Sequence, residues 1–198
     1  SLGAMHVASQ MLDTIYKNLD LPAKEAQRLR QTLRIAVLFH DLGHPALSHV
    51  SESIMPALGA LNLEGWVDDP RRQANHEDYT LKIILHSGLK DILDKHLGSI
   101  GVKPEHIAML IAGTETPEPD AFRINNTNLF PLLHRIVSGE IDADRMDYLR
   151  RDAYYCGVGY GQFDHLWLIQ NITAIADGDT LSIGLKHKGV WAFENFLL

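Results

Sequence analysis

The apolar positions of this chain recur mostly with a helical period. Leu2, Met5, Val7, Ala8, Leu12 and Ile15 fall near a 3.6-residue spacing, which predicts a helix over Ser1–Leu19 that Asp20-Leu21-Pro22 stops. Leu29, Leu33 and Val37 point inward along a second helix, Ala23–Leu42, with Arg28, Arg30 and Arg34 on its solvated side. Ser48 suits an N-cap for a helix reaching about Leu58, with Glu52 in its first turn. Asn62–Gln73 is turn-rich and charged and predicts a surface loop. Helices are expected over His76–His86, Gly88–His96 and Pro104–Ala112, the last with proline in its first turn. Thr114–Asn128, holding Pro117, Pro119 and an Asn-rich run, predicts a long loop, and Leu129–Val137 and Asp142–Asp152 predict helices. Tyr154–Gln162 reads as an irregular loop and Asp164–Ala176 as a helix. Asp177-Gly178-Asp179 is a turn, Thr180–Leu185 an alternating strand, Lys186–Gly189 a hairpin tip, and Val190 begins a helix running to Leu198. The expected fold class is mostly α, with a small β-hairpin near the C-terminus.

Composition narrows the class. A chain of 198 residues with 45 % hydrophobic and 22 % charged residues predicts one globular domain with a substantial core. The net charge of −7 argues against an extended nucleic-acid or membrane surface, yet leaves room for a small basic pocket that takes one nucleotide. Cys156 is the single cysteine, so an intrachain disulfide is excluded and a reducing, cytoplasmic setting is expected. No apolar run approaches the length of a membrane span.

The chemistry concentrates in Ile35–His49, IAVLFHDLGHPALSH. A buried apolar helix end delivers His40 and Asp41 side by side; Gly43 and Pro45 turn the chain, and His44 and His49 follow. Imidazole and carboxylate together suit a divalent ion such as Zn, Mn, Fe or Ni. The plainer alternative is a histidine capping a helix C-terminus with an aspartate satisfying the next turn. A second cluster lies far along the chain in GEIDADRMDYLRRD, Gly139–Asp152. Asp144, Asp147, Tyr148, Arg151 and Asp152 fall near one helical face, where crowded carboxylates repel unless a cation neutralises them. Local pairing with Arg145, Arg150 and Arg151 is the competing account.

Together the two clusters resemble the HD-domain metal-dependent phosphohydrolases, and within them the dNTP triphosphohydrolase branch. The shared features are HDLGH-P-x-x-SH at His40–His49, N-H-E at Asn75–Glu77, D-A-D-R-M-D-Y-L-x-R-D at Asp142–Asp152, the run Gly157–Phe163 with Asp164, and the hairpin and ENFLL ending. The resemblance covers nearly the whole chain, and two motifs in the right order are more specific than either alone.

The resemblance implies an HD-type helical bundle in which His40, Asp41 and Asp144 hold a divalent ion (Mn, Mg, Fe, Zn or Ni). Arg145 would face the phosphates, as would His44. His49, and next His76, would donate a proton to the leaving 5′-oxygen, with Glu52 orienting one of them. Tyr148 and Asp152 would meet the sugar and its 3′-hydroxyl. The expected reaction converts a deoxynucleoside triphosphate to a deoxynucleoside and inorganic triphosphate. Hydrolysis of a monophosphate, cyclic or signalling nucleotide is the alternative, as is a nucleotide-binding module without turnover. An allosteric nucleotide and a homo-oligomer are also implied. The family's remaining histidine ligand directly precedes a Ser-Leu-Gly, and an arginine lies three residues before it. This chain opens on Ser1-Leu2-Gly3, so both are expected outside it, as is the tyrosine-bearing helix that follows ENFLL in the family. The single domain is therefore expected to be truncated at both ends.

Overall fold

The computed structural model describes residues 1–66 and 69–197. Val67 and Asp68 of the expected loop, and Leu198 at the end of the expected last helix, lie outside the described residues. Two helices come first, α1 (Leu2–Tyr16) and α2 (Ala23–Phe39), followed by 3-10 turns at Ser48–Ile54 and Leu58–Leu61. Then come α3 (His76–His86), α4 (Gly88–Leu97) and α5 (Pro104–Ala112), the short strands β1 (Arg123–Ile124) and β2 (Thr127–Asn128), and α6 (Phe130–Val137). The chain continues through α7 (Ala143–Cys156), α8 (His165–Asn171), β3 (Ile172–Asp177), β4 (Thr180–Leu185) and α9 (Val190–Leu197). The fold is mostly α with a small sheet near the C-terminus, as the hydrophobic period predicts.

The buried stripe of α1, Ala4, Val7, Ala8, Met11, Leu12 and Ile15, is the i, i+3, i+4, i+7 face that the sequence pattern marks. It packs on both α2 and α7. Helix α5 packs on both α2 and α3. These two helices therefore set the relative positions of α2, α3 and α7, three of the four elements that deliver the clustered histidines and carboxylates. The main core gathers Leu29 and Leu33 of α2, Ile107 and Leu110 of α5, Leu132, Leu133 and Ile136 of α6, and Phe122. A smaller apolar cluster around Leu58, Leu81 and Leu85 sits under the 3-10 turns.

Several local expectations are corrected. Helix α2 stops at Phe39 instead of Leu42, and His40 to His44 form a turn. Ser48 does not cap an α-helix. Leu47 and Ser48 both adopt left-handed backbone, and the segment is a 3-10 turn ending at Ile54. Proline at 56 forces Met55 into extended backbone, which prevents the turn from growing into a helix. The long loop Thr114–Asn128 holds a two-residue hairpin, β1–β2, whose turn residues Asn125 and Asn126 both have positive φ. Helix α7 runs on to Cys156 and ends at Gly157, which takes the left-handed cap, so the irregular loop starts later than Tyr154. The helix expected to reach Ala176 ends at Asn171. Ile172–Asp177 is instead a strand in antiparallel register with β4, Ile172 opposite Leu185 and Asp177 opposite Thr180. Its β-branched residues favour the pleat once β4 offers a partner. The hairpin tip is thus Gly178-Asp179, not Lys186–Gly189, which is a 3-10 turn leading into α9. The sheet order is β1-β2-β4-β3.

One buried imidazole sets an acid limit on stability. His106 of α5 is almost fully buried, and burial pushes its pKa below the usual imidazole value, outweighing the Glu118 carboxylate 3.0 Å from its Nε2. The unfolded chain therefore takes up a proton at a higher pH than the folded one does. Unfolding stability is expected to decline as pH falls below about 6.5. His106→Gln is expected to flatten that part of a urea-midpoint-versus-pH curve; an unchanged slope would contradict it.

Candidate functional site

The end of α2 presents the first donors. His40 occupies the C-cap, and its Nδ1 donates to the carbonyl of Val37 at 2.8 Å. That bond assigns the proton to Nδ1 and leaves Nε2 as a lone-pair donor. Nε2 lies 3.3 Å from Asp41 Oδ1 and 3.9 Å from Asp144 Oδ2. Asp144 comes from the first turn of α7, whose start is capped by Asp142 accepting from the Arg145 N–H at 2.6 Å. Burial pushes the Asp142 carboxyl up, and the neighbouring Asp144 charge adds to this.

One ligand atom from each of His40, Asp41 and Asp144 lies within 4.8 Å of the others. Ligands about 2.1 Å from a shared ion sit about 3–3.5 Å apart, so this half-buried donor set suits a divalent cation, with the imidazole already in the ligating tautomer.

A second set adjoins it. One donor atom from each of His44, His49, Glu52 and His76 also falls within 4.8 Å of the others. Glu52 Oε1 pairs with His76 Nδ1 and lies 3.2 Å from His49 Nδ1. The His76 imidazole, and behind it His49, hold the Glu52 carboxyl below its usual range. The rings of His44 and His76 stack with centroids 3.9 Å apart, and His49 meets His44 edge-on at 4.7 Å. Burial, then the neighbouring His76, push the His44 pKa down. His44 also joins the two sets, its Nε2 lying 3.3 Å from Asp41 Oδ1.

Both sets open on one cleft of about 250 Å³, lined by His40, Asp41, His44, His49 and His76 together with Asp144, Arg145 and Tyr148. The Arg145 guanidinium sits 5.0 Å over the ring of Phe196. Asp152 is not brought into this cleft: it is exposed on α7, one turn beyond Tyr148. Glu52 does not line the cleft and reaches it only through its pairing with His49 and His76. A larger cavity of about 620 Å³, lined by Arg150, Tyr154, Phe163, His165 and Trp191, holds none of the clustered donors. Glu77 and Ser138 line the cleft, and the sequence reading assigned neither. It also overlooked Thr80, which lies four residues after His76 and whose hydroxyl is buried against the His40 turn.

Comparisons with known proteins agree with the fold. The protein-family models searched include none that matches. The chain is 31 % identical over 199 residues to the uncharacterized protein YwfO of Bacillus subtilis, spanning all of this chain and 37 % of that protein. It is 32 % identical over 165 residues to the deoxynucleoside triphosphate triphosphohydrolase SAMHD1 homolog of Dictyostelium discoideum, covering 79 % of this chain and 26 % of that protein. A crystal structure of a phosphohydrolase from Bacteroides thetaiotaomicron superposes with a TM-score of 0.61 at 24 % identity, over 98 % of this chain and 38 % of that one, which shows the fold. The chain spans about a third of the length of the first curated relatives it matches. The chain thus shares its fold with a solved phosphohydrolase and is similar in sequence, over most of its length, to part of a triphosphohydrolase homolog. Among the described residues, no helix is long and apolar enough to cross a membrane.

Proposed function

We propose that this chain hydrolyses deoxynucleoside triphosphates to deoxynucleoside and inorganic triphosphate at the shared cleft, using a divalent cation held by His40, Asp41 and Asp144. The observation that carries the proposal is the convergence of the α2 end and the first turn of α7 on one donor set. The Dictyostelium relative supports the substrate class. When bound, the cation would neutralise phosphoryl charge and make water a stronger nucleophile near neutral pH.

The chain's own side chains supply the rest. Arg145, next to Asp144, donates to the phosphoryl oxygens as their charge spreads. His44 faces the same oxygens and donates to them from its ring nitrogen. Water attacks the α-phosphorus, the bond from phosphorus to the 5′-oxygen breaks, and that oxygen takes a proton from His49 or His76. Glu52 orients both imidazoles. Tyr148 flanks the sugar at the cleft wall, and Asp152, outside the cleft and one turn further along α7, meets a 3′-hydroxyl that extends beyond it.

Incubation with each dNTP and Mn²⁺, followed by phosphorus NMR, is expected to show intact triphosphate and free deoxynucleoside. Orthophosphate or pyrophosphate as the first product points instead to hydrolysis of another nucleotide bond, and bound nucleotide without any product points to a binding module. Glu52→Gln is expected to lower kcat about a hundredfold while cation content stays the same; a kcat within threefold of the parent would remove Glu52 from the proton path. The proposal extends to a cytoplasmic homo-oligomer with an allosteric nucleotide. Native mass spectrometry with and without a dNTP reads the assembly and its response.

A further inference from the structure

The two donor sets share a support that neither motif contains. Thr80 is fully buried in α3. Its hydroxyl donates to the carbonyl of His40 at 2.8 Å and accepts from the N–H of Gly43 at 2.9 Å. One side chain thus closes both ends of the turn that displays Asp41. The His40 carbonyl is one that the end of α2 leaves without a helical partner, and the Gly43 N–H belongs to the turn beyond it. Four residues earlier on the same helix stands His76, paired with Glu52. Residues i and i+4 lie on one helical face, so a single turn of α3 bears both the histidine of one set and the clamp of the other. Gly43 makes the contact possible: a Cβ there would overlap the His76 carbonyl and the Thr80 backbone nitrogen.

We infer that Thr80 is a positioning residue that sets the distance between the cation-binding set His40–Asp41–Asp144 and the proton-carrying set His44–His49–Glu52–His76. The inference rests on the cation reading of the first set. A hydroxyl is required because both partners are backbone groups of opposite polarity, and a threonine oxygen donates and accepts at once. Valine has the same shape and would leave the His40 carbonyl and the Gly43 N–H unpaired and buried.

The test compares the parent protein, Thr80→Val, Thr80→Ser and Asp144→Asn by Co²⁺ titration, following the visible d–d spectrum, with circular dichroism to check folding. Thr80→Val is expected to fold, to bind Co²⁺ about 10–100-fold more weakly and to show an altered spectrum, as outer contacts of metal ligands do when removed. Thr80→Ser keeps the hydroxyl and is expected to stay within about threefold of the parent. If Thr80→Val fails to fold, Thr80→Ser still decides through its spectrum and the exchange protection of the Gly43 amide: both match the parent if the clamp holds. Parent-like affinity and spectrum in Thr80→Val overturn the inference, as does equal weakening in Thr80→Ser. If the parent itself binds no Co²⁺, or binds it as well after Asp144→Asn, the cation reading fails and takes the inference with it.

Discussion

Asp144→Asn is expected to reduce nucleotide hydrolysis at least about a thousandfold while leaving the metal-free protein slightly more stable. The first effect follows from geometry. Asp144 is the donor that α7 contributes to the His40–Asp41 pair, with its Oδ2 3.9 Å from His40 Nε2. An amide oxygen keeps the shape but not the charge, and several kcal/mol of cation-based stabilisation correspond to about three orders of magnitude in rate. The second effect has the opposite sign. Without a cation, Asp41 and Asp144 hold like charges within 4.8 Å of each other across half-buried positions. Removing one charge relieves that repulsion, by up to about 1 kcal/mol. With Mn²⁺ at a hundred times its dissociation constant the order reverses, because the parent then gains about 2.7 kcal/mol from binding. Urea unfolding of both proteins, with EDTA and then with Mn²⁺, reads the crossing directly. Retention of more than a tenth of the activity, or no crossing, would sink the assignment of Asp144.

Gly43→Ala is expected to destabilise the fold by about 3 kcal/mol or more. The reason is contact and not backbone freedom. The added methyl would overlap the His76 carbonyl and the Thr80 nitrogen and come 2.7 Å from the Tyr79 Cβ. Two of these are backbone of α3 and none is a flexible side-chain tip. The turn after α2 must therefore separate from α3, which breaks both Thr80 hydrogen bonds and disturbs His40 and Asp41. Cation affinity is expected to fall with stability. Gly88→Ala serves as the control: it lies in α4 with nothing within 4 Å of the added carbon, and is expected to be neutral or stabilising by about 0.5 kcal/mol. Chemical denaturation of both variants separates the steric effect from loss of glycine as such. Equal stabilities would refute it.

These two positions show how differently site residues can be read from a chain. Asp144 is legible because its neighbours Asp142 and Arg145 and the face it shares with Tyr148 form a dense local pattern. Gly43 reads as a helix stop, which is true but incomplete, since its size is demanded by α3, a segment more than thirty residues further along. Thr80 has no local signature. A threonine inside a helix is ordinary, and its importance lies in two backbone atoms that only folding brings to it.

The secondary-structure departures have the same origin. Ile172–Asp177 continues the apolar pattern of α8, yet becomes a strand because β4 folds back on it. The Asn125-Asn126 turn makes a hairpin because asparagine tolerates left-handed backbone and β4 accepts β2 alongside. Ser48 resembles an N-cap, but Pro56 closes off any helix beyond Ile54.

By itself the sequence determined the helical class, the buried faces of α1 and α2, and the two motifs that carry the clustered donors, because each is written within one or two helical turns. Only the tertiary structure decided that α2 and α7 meet at one donor set, that Glu52 pairs with both His76 and His49, and that Asp152 lies off the cleft. Those facts depend on how α1 and α5 pack their neighbours, and packing between distant segments leaves no periodic trace along the chain.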